Sequence, residues 1–387
     1  VAGGVTANYA VTGLLGIPLS FIVLGAVLLV FAVGYTAMSR YVHNAGAFYA
    51  YIARGLGKPA GIGSAWVALV SYNAMQVGIY GMFGFAASSF LETTFALVVP
   101  WWATALAGWV IVGLLGINTV DLSAKVLGAI VALEFLVVIV YDAMAIGAAP
   151  EGVTATSLEP SSLFTAGVGA ALAFSIAAFM GFESGAIYNE EVKDPKRTAG
   201  IATLIAISVI ALFYGFSAWV MVVGEGASNV IARSQEFGPD LMFVFLAEHA
   251  GEWFVTLANL MFITSLFAAL VAFHNIVARY FFSLGRERVL PGVLEHTGAR
   301  SGAPVAGSLA QSALALVVIL IFGLAGAGSD DPLFPVLTLF TWLVNAGAFG
   351  LIFLLAITSL AVIGHFRRDP GGQSAWVRWI APGLSAV

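Results

Sequence analysis

A glutamate flanked by glycines interrupts an apolar segment near the middle of the chain. Residues 181–185 read Gly-Phe-Glu-Ser-Gly, inside an apolar stretch that begins near Leu163 and ends in a dense cluster of charges. Glycine weakens a helix where the bilayer demands unbroken backbone hydrogen bonding. An ionised carboxylate at membrane depth costs on the order of 2.5–3.5 kcal/mol, so Glu183 must be protonated, paired or in contact with water. This pattern predicts an interrupted helix whose carboxyl helps to hold a polar solute or exchanges a proton.

Other interpretations of this stretch stay open. Glu183 could be a structural carboxyl that hydrogen-bonds to the loosened backbone of the interrupted turn. Phe179 and Phe182 lie beside the interruption, where a flat apolar ring next to a solute could act as a gate. Core packing explains the two rings equally well.

A second set of polar side chains lies in an apolar segment nearer the start of the chain. The spacings of three and four residues within it put an amide and a phenol on one helix face. Such a face either binds a polar solute or makes interhelical hydrogen bonds, which contribute only about 0.6 to 2 kcal/mol in membranes. The spacing alone leaves both interpretations open. The polar residues concerned are Ser71, Tyr72, Asn73 and Gln76.

Composition indicates which elements position these residues. The chain has 60% hydrophobic and 9% charged residues, whereas about 25% of the residues of soluble domains are charged. We therefore predict an all-α polytopic membrane protein. Segments of about 20 apolar residues are long enough to cross a bilayer. The predicted complete spans cover residues 17–39, 60–90, 101–119, 123–147, 163–188, 199–224, 253–284, 304–325 and 334–364.

Several classes of site are excluded by what the sequence lacks. It contains no cysteine, which removes disulfides and thiol chemistry. It has no Walker lysine motif, no dinucleotide glycine fingerprint after a strand and no histidine cluster with metal-ligand spacing. We expect no enzyme activity, no cofactor, no metal and no nucleic-acid partner.

The basic residues are distributed unevenly once the predicted spans alternate across the membrane. Of the 15 lysines and arginines, all except Arg233 fall on one side, which the positive-inside rule assigns to the cytoplasm. We therefore expect a multi-pass plasma-membrane protein whose N-terminus is cytoplasmic. Asp142 lies near the outer end of its predicted span and is expected to face water.

Three motifs resemble those of the amino acid–polyamine–organocation (APC) superfamily of transporters, and of its amino acid permeases in particular. Residues 181–197 join Gly-Phe-Glu-Ser to Glu-Val-Lys-Asp-Pro-Lys-Arg and resemble the sixth helix and following loop of that superfamily. Residues 45–57 resemble its first cytoplasmic loop, and residues 278–291 resemble the end of its eighth helix. The order and spacing of the motifs match over essentially the whole chain.

The resemblance implies a fold of ten core helices in two inverted five-helix repeats, with helices 1 and 6 broken at the middle of the membrane, as in the leucine-transporter-like fold. We expect one transmembrane domain over residues 1–387, with the first repeat at about 1–147 and the second at about 163–368. By the same match, the chain is expected to begin at the break of helix 1 and to lack the last helices of the superfamily.

The resemblance also implies a solute site formed by the two breaks. Backbone amides at residues 2–4 would bind a carboxylate, because a helix N-terminus favours anions. Carbonyl groups freed at residues 180–182 would bind an ammonium group. The predicted substrate-binding residues are Ala2, Gly3, Gly4, Ser71, Tyr72, Gln76, Phe179, Met180, Gly181 and Phe182.

Glu183 and Glu134 are the predicted coupling residues. In the superfamily, the glutamate at the break of helix 6 is linked to proton coupling and gating. Glu134 aligns without gaps with a position on helix 5, near helices 1 and 8, where many proton-coupled members have a lysine in place of a sodium ion. A glutamate there could carry a proton, ligate a cation, or form a structural pair with a residue such as His274. We rank the proton first, sodium second and the structural pair third.

Together these features predict a secondary active transporter of amino acids that works by alternating access and is coupled to protons. The alternatives are a polyamine or ethanolamine carrier, an exchanger of amino acids for amines, and a sodium-coupled symporter. The expected partners are a small amino acid or amine, the coupling ion and membrane lipids. An ion channel would need a ring-forming filter segment, and the sequence shows none. The sequence does not indicate which side chain is transported or the oligomeric state.

Overall fold

The described part of the chain is helical and contains no strand. The computed structural model describes residues 1–39, 41–42, 47–118, 124–183, 195–299, 302–329 and 331–386. Within these ranges, 7 helices are long and apolar enough to cross a membrane. Two shorter apolar segments, Trp101–Ile117 and Val168–Phe179, coincide with further predicted spans. The prediction of an all-α polytopic membrane protein is confirmed.

In the first part of the chain, the residues that the structure describes form six helices, whose limits follow from glycine and from apolar length. Gly13 has a φ of 65° and ends the first helix in the left-handed conformation that glycine adopts without steric cost. The fourth helix has 38 residues and, at roughly 57 Å, extends beyond a hydrocarbon core of about 30 Å. The helices are α1 (Gly4–Thr12), α2 (Ile17–Ser39), α3 (Ala47–Leu56), α4 (Lys58–Phe95), α5 (Trp101–Ile117) and α6 (Ala124–Ala148).

In the second part of the chain, the described residues form nine further helices. Two short ones, α10 and α11, lie between predicted spans, where the hydropathy pattern predicts no crossing. The last long helix is preceded by a π-helical segment, Pro335–Phe340, and proline has no backbone N–H for a regular ladder. The helices are α7 (Pro160–Leu163), α8 (Val168–Ile176), α9 (Pro195–Glu225), α10 (Val230–Phe237), α11 (Leu241–His249), α12 (Glu252–Arg286), α13 (Val305–Ala325), α14 (Thr341–Arg368) and α15 (Ala381–Ser385).

The long helices pack in two groups. In the first group, α2 packs along α9 and against α8, and α1 packs against α8. In the second group, α4 packs against α5 and α12, and α13 packs against both α5 and α12. α6 contacts α9 in one group and α12 in the other, and α14 packs mainly on α4 and α3. The inverted relation between residues 1–147 and 163–368 stays a prediction.

Small residues bring α3 into direct backbone contact with α14. A Cβ atom on Gly55 would overlap the carbonyl oxygen of Ala361, and a Cβ atom on Gly364 would lie 2.6 Å from the carbonyl oxygen of Gly55. Glycine at helix crossings permits this close approach in membranes. At its other end, α3 is held by the Tyr49 hydroxyl, which donates a hydrogen bond to Oε1 of Glu287 at 3.1 Å.

Candidate functional site

The apolar segment after α8 is interrupted at the place that the sequence predicts. α8 ends at Ile176, a single 3-10 turn covers Ala177–Phe179, and Met180 is extended, with a φ of −60° and a ψ of 127°. Gly181 follows with a φ of 106°, which residues bearing a Cβ rarely adopt. The break is therefore confirmed up to residue 183. The rest of the predicted motif, residues 184–194, lies outside the described residues.

Glu183 is buried at this break, and both of its carboxyl oxygens accept hydrogen bonds. Its exposed fraction is 0%. Oε2 accepts the backbone N–H of Gly181 at 3.1 Å, which satisfies an amide that the break removes from the helical ladder. Oε1 accepts the hydroxyl of Tyr72 on α4. The carboxyl therefore supports the unwound backbone and also joins the break to the second helix group.

The two aromatic side chains at the break pack against α2. The ring centroid of Phe179 lies 6.2 Å from that of Phe21, and the centroid of Phe182 lies 6.1 Å from that of Phe31. Both rings are buried. In this arrangement they contribute to the core, and their role as a gate stays a prediction.

The start of α1 lies beside α8, so the two predicted half-helices are neighbours. Nδ2 of Asn8 donates to Oγ of Ser175 at 2.9 Å and to the carbonyl of Ala171 at 3.2 Å. No side chain caps the N-terminus of α1 at Gly3. The first amides of a helix lack partners within it; here the amide of Val5 donates to the carbonyl of Val1 at 3.2 Å, so the predicted group at residues 2–4 is the candidate for an anion at this end.

Predicted residues 2–4 differ in their surroundings. Ala2 and Gly3 are buried, whereas Gly4 is exposed. A Cβ atom on Gly3 would lie 3.2 Å from the side chains of both Met82 on α4 and Phe262 on α12. The start of α1 therefore lies against the second helix group, and a larger side chain at Gly3 would press on Met82 and Phe262.

Ser71 and Tyr72 are adjacent on α4 but contact different neighbours. Tyr72 is buried and reaches the break through Glu183. The hydroxyl of Ser71 donates to the carbonyl of Val67 on its own helix at 2.7 Å. A Cβ atom on Gly350 of α14 would overlap that hydroxyl. The structure thus brings Tyr72 to the break and packs Ser71 against α14.

Gln76 belongs to a buried polar network that joins α4, α12 and α13. Its Nε2 atom lies 3.2 Å from Nδ1 of His274, and Nε2 of His274 lies 2.7 Å from Oγ of Ser308. Gln311 donates to Oε1 of Gln76. All four side chains are buried. This arrangement engages the Gln76 amide with protein groups, so the predicted contact of Gln76 with a solute stays a prediction.

The same network tests the predicted pair between His274 and Glu134, and it contains two polar residues that the sequence did not lead us to predict. His274 uses both ring nitrogens for Gln76 and Ser308, so a structural pair between His274 and Glu134 is wrong. The sequence analysis missed Ser308 and Gln311, although two polar residues three positions apart inside the apolar segment 304–325 are a signal for an interhelical contact.

Glu134 lies on α6 with its carboxyl against α12. The hydroxyls of Thr264 and Ser265 interact with this carboxyl, and the phenol of Tyr214 on α9 is within electrostatic range. Oε1 of Glu134 has no hydrogen-bond partner among the described residues. The position beside α12 agrees with the one that the resemblance implies. A role in coupling stays a prediction.

Asp142 is buried, which corrects the expectation that it faces water. Its exposed fraction is 3%, and the hydroxyl of Ser217 on α9 donates to its Oδ2 atom at 2.8 Å. The apolar pattern fixes the depth of Asp142 along α6, but the packing of α6 on α9 decides which way the side chain faces.

The short helices α10 and α11 cover the C-terminal end of α1. Nε2 of Gln235 donates to the carbonyl of Ala10 at 3.1 Å. Between the two helices, Asp240 accepts the hydroxyl of Ser89 on α4 at 3.2 Å. Burial raises the pKa of Asp240 to about 6, and the hydrogen bond from Ser89 offsets part of that shift. The carboxyl of Asp240, which joins the segment between α10 and α11 to α4, therefore changes its charge near pH 6.

Comparison with known protein families gives a match over the whole chain. The family described as "Amino acid permease" matches residues 1–387. Comparison with curated proteins finds no match. The family match includes both predicted half-helices, the interrupted segment after α8, the buried Glu183 and the partly buried Glu134.

If the Gln76 network is structural, removing one of its bonds should lower stability and leave solute affinity unchanged. Ser308→Ala deletes the partner of His274 Nε2, and we expect a loss of about 0.6 to 1.7 kcal/mol, the usual range for such bonds in membranes. Thermal unfolding of the purified protein measures it. Ser312→Ala, one turn further along α13, is the control. A fall in solute affinity in Ser308→Ala would instead connect the network to the solute site.

Proposed function

The chain belongs to the amino acid permease family, and on that premise we propose that it is a secondary active transporter that carries an amino acid across the plasma membrane by alternating access, coupled to protons. Family membership and the apolar helices make it a multi-pass membrane transporter. The observation that carries the finer proposal is the buried carboxyl of Glu183 at an unwound segment, bonded to the opposite helix group.

The arrangement of the two half-helices supports a small zwitterionic solute. An amino acid has one anionic and one cationic group. The first amides of α1 suit the carboxylate, and the unwound carbonyls at residues 180–182 suit the ammonium. The bond between Asn8 and Ser175 holds α1 and α8 side by side, which supports one solute meeting both.

An amine without a carboxylate fits this site less well. Its ammonium could meet the same unwound carbonyls, but it has no anionic group for the first amides of α1, and both oxygens of Glu183 already accept hydrogen bonds, from Tyr72 and from Gly181. This favours an amino acid over a polyamine or ethanolamine.

Proton coupling would follow from the position of Glu183 between the helix groups. Alternating access moves one group against the other, and this motion would break and remake the bond between Tyr72 and Glu183. A carboxyl whose hydrogen-bond donors and exposure to water differ between two states binds a proton with different affinity in each. Proton uptake and release would therefore accompany the conformational change.

Glu134 is the second proposed coupling residue. The oxygen atoms of its carboxyl and of the hydroxyls of Thr264 and Ser265 lie close together between α6 and α12. We propose that Glu134 carries a proton, and sodium is the alternative ligand of the same oxygens.

Replacing the carboxyl at the break should uncouple transport from the proton gradient. In proteoliposomes, a panel of radiolabelled amino acids and amines is expected to give saturable, pH-dependent uptake of amino acids. Glu183→Gln keeps the shape of the side chain but cannot release a proton, so we expect proton-driven uptake to fall to the level of empty liposomes. Substrate binding to the purified variant should persist.

Glu252→Gln is the matched control, because Glu252 is an exposed glutamate at the start of α12 and its loss should leave uptake unchanged. Undiminished pH dependence in Glu183→Gln would exclude the coupling role. Selective uptake of amines alone would exclude the amino acid assignment.

Sodium should have no effect on uptake if Glu134 carries a proton. At fixed pH, we expect equal initial rates with and without an inward sodium gradient. Glu134→Lys places a fixed positive charge at this position, so it should retain substrate binding while proton-driven accumulation is lost. Glu134→Gln provides the neutral comparison. A several-fold stimulation by sodium, absent from Glu134→Gln, would replace the proton with sodium at this position.

A further inference from the structure

A cavity that the transport mechanism does not use opens on the predicted outer side of the protein. Its volume is about 430 Å³, within the range of about 300–1,000 Å³ that is usual for ligand pockets. It lies between the outer ends of α6 and α9 and the two short helices α10 and α11. It is distinct from the helix breaks, because none of residues 1–4 or 176–183 lines it.

More acidic than basic side chains line the cavity. Glu225, Glu236 and Glu248 line it, together with one guanidinium, that of Arg233. Nε of Arg233 lies 2.6 Å from Oε2 of Glu225, and its second terminal nitrogen lies 3.7 Å from Oε1 of Glu248. Nδ1 of His249 donates to the carbonyl of Phe245 at 2.9 Å. One guanidinium among three carboxylates leaves negative charge uncompensated.

An unpaired atom inside the cavity points independently to a missing donor. The side chain of Glu225 is only 2% exposed. Arg233 lies against Oε2, but Oε1 has no hydrogen-bond partner among the described residues. A buried carboxyl oxygen without a donor is costly. A ligand that donates N–H groups would satisfy it.

Further unpaired oxygens continue from the cavity towards the middle of α6. The hydroxyl of Tyr141 and Oδ1 of Asp142 lack hydrogen-bond partners in the part of the chain that the structure describes. Tyr141 is within electrostatic range of both Glu225 and Asp142. Two carboxyl oxygens, Oε1 of Glu225 and Oδ1 of Asp142, and one phenol are therefore buried in this region without hydrogen-bond partners among the described residues.

We propose that this cavity is a second binding site, which takes the ammonium group of a primary organic amine. Its N–H groups donate to Glu225, with Glu248 as the nearest second carboxylate. Among the described residues, no group of three or more His, Cys, Asp or Glu is arranged to hold a metal ion, which favours an organic cation. The site goes beyond the proposed transport of amino acids and does not depend on it.

Isothermal titration calorimetry with n-butylammonium chloride tests the site in purified protein in lipid nanodiscs. We expect saturable binding that weakens by about tenfold or more in Glu225→Gln, because a hydrogen bond to a charged group is lost. Tetramethylammonium, which has no N–H group, should bind at least about tenfold more weakly than n-butylammonium for the same reason.

A substitution that fills the cavity without changing its charge provides a second test. Ala232 lines the cavity, and Ala232→Phe should fill it and abolish binding. Ala247→Phe is the matched control, because Ala247 is an exposed residue of α11 outside the cavity lining. If Glu225→Gln does not fold, Glu248→Gln replaces it, since the side chain of Glu248 is 54% exposed.

Two outcomes would overturn the proposal. The first is binding that survives Glu225→Gln and Ala232→Phe but disappears in Glu183→Gln, because the amine would then occupy the helix breaks. The second is displacement of n-butylammonium by equal concentrations of sodium or potassium chloride, which would indicate only a counterion. Calorimetry requires no transport, so failure of the uptake assay would leave the result of this test standing.

Discussion

A lipid bilayer supplies no water to an unpaired backbone group, and the unwound segment after α8 exists only because the protein supplies partners for it. Glu183 is the main partner: its Oε2 atom accepts the amide of Gly181, two residues earlier. The side chain that carries the chemistry is thus also the one that makes the irregular backbone tolerable. A substitution here acts on backbone geometry and on charge at once, which is why an isosteric amide is the informative replacement.

The other oxygen of the same carboxyl connects a titratable group to the opposite helix group. Its donor, Tyr72, belongs to the helix group of α4 and α12, whereas the break belongs to the group of α2, α8 and α9. This bond is the physical basis for the proposal that relative motion of the groups and the charge state of the carboxyl are coupled. The aromatic packing around Phe182 contains no titrating group, and the network around Gln76, which includes His274, lies within α4, α12 and α13 and does not join the two helix groups.

The sequence predicted the features that depend on local apolar length and on backbone chemistry. The span at 17–39 is found as Ile17–Ser39, because some twenty apolar residues bounded by a glycine and a polar turn leave little choice. The break follows from glycines beside a buried carboxyl. Side-chain direction was not predictable: Asp142 faces α9, and Gln76 meets His274 across a separation of 198 positions. In helices that are apolar all round, no polar face indicates orientation.

The glycine crossing between α3 and α14 has a mechanical consequence. The backbone of Gly55 lies directly on that of Gly364, so no side chain of either glycine separates the two helices at this crossing. They can neither slide nor rotate past each other without steric overlap. α3, a short helix outside the predicted spans, is therefore expected to move together with α14 as one rigid unit. A hinge would then lie at other positions, such as Gly13 or Gly181, where the backbone itself turns.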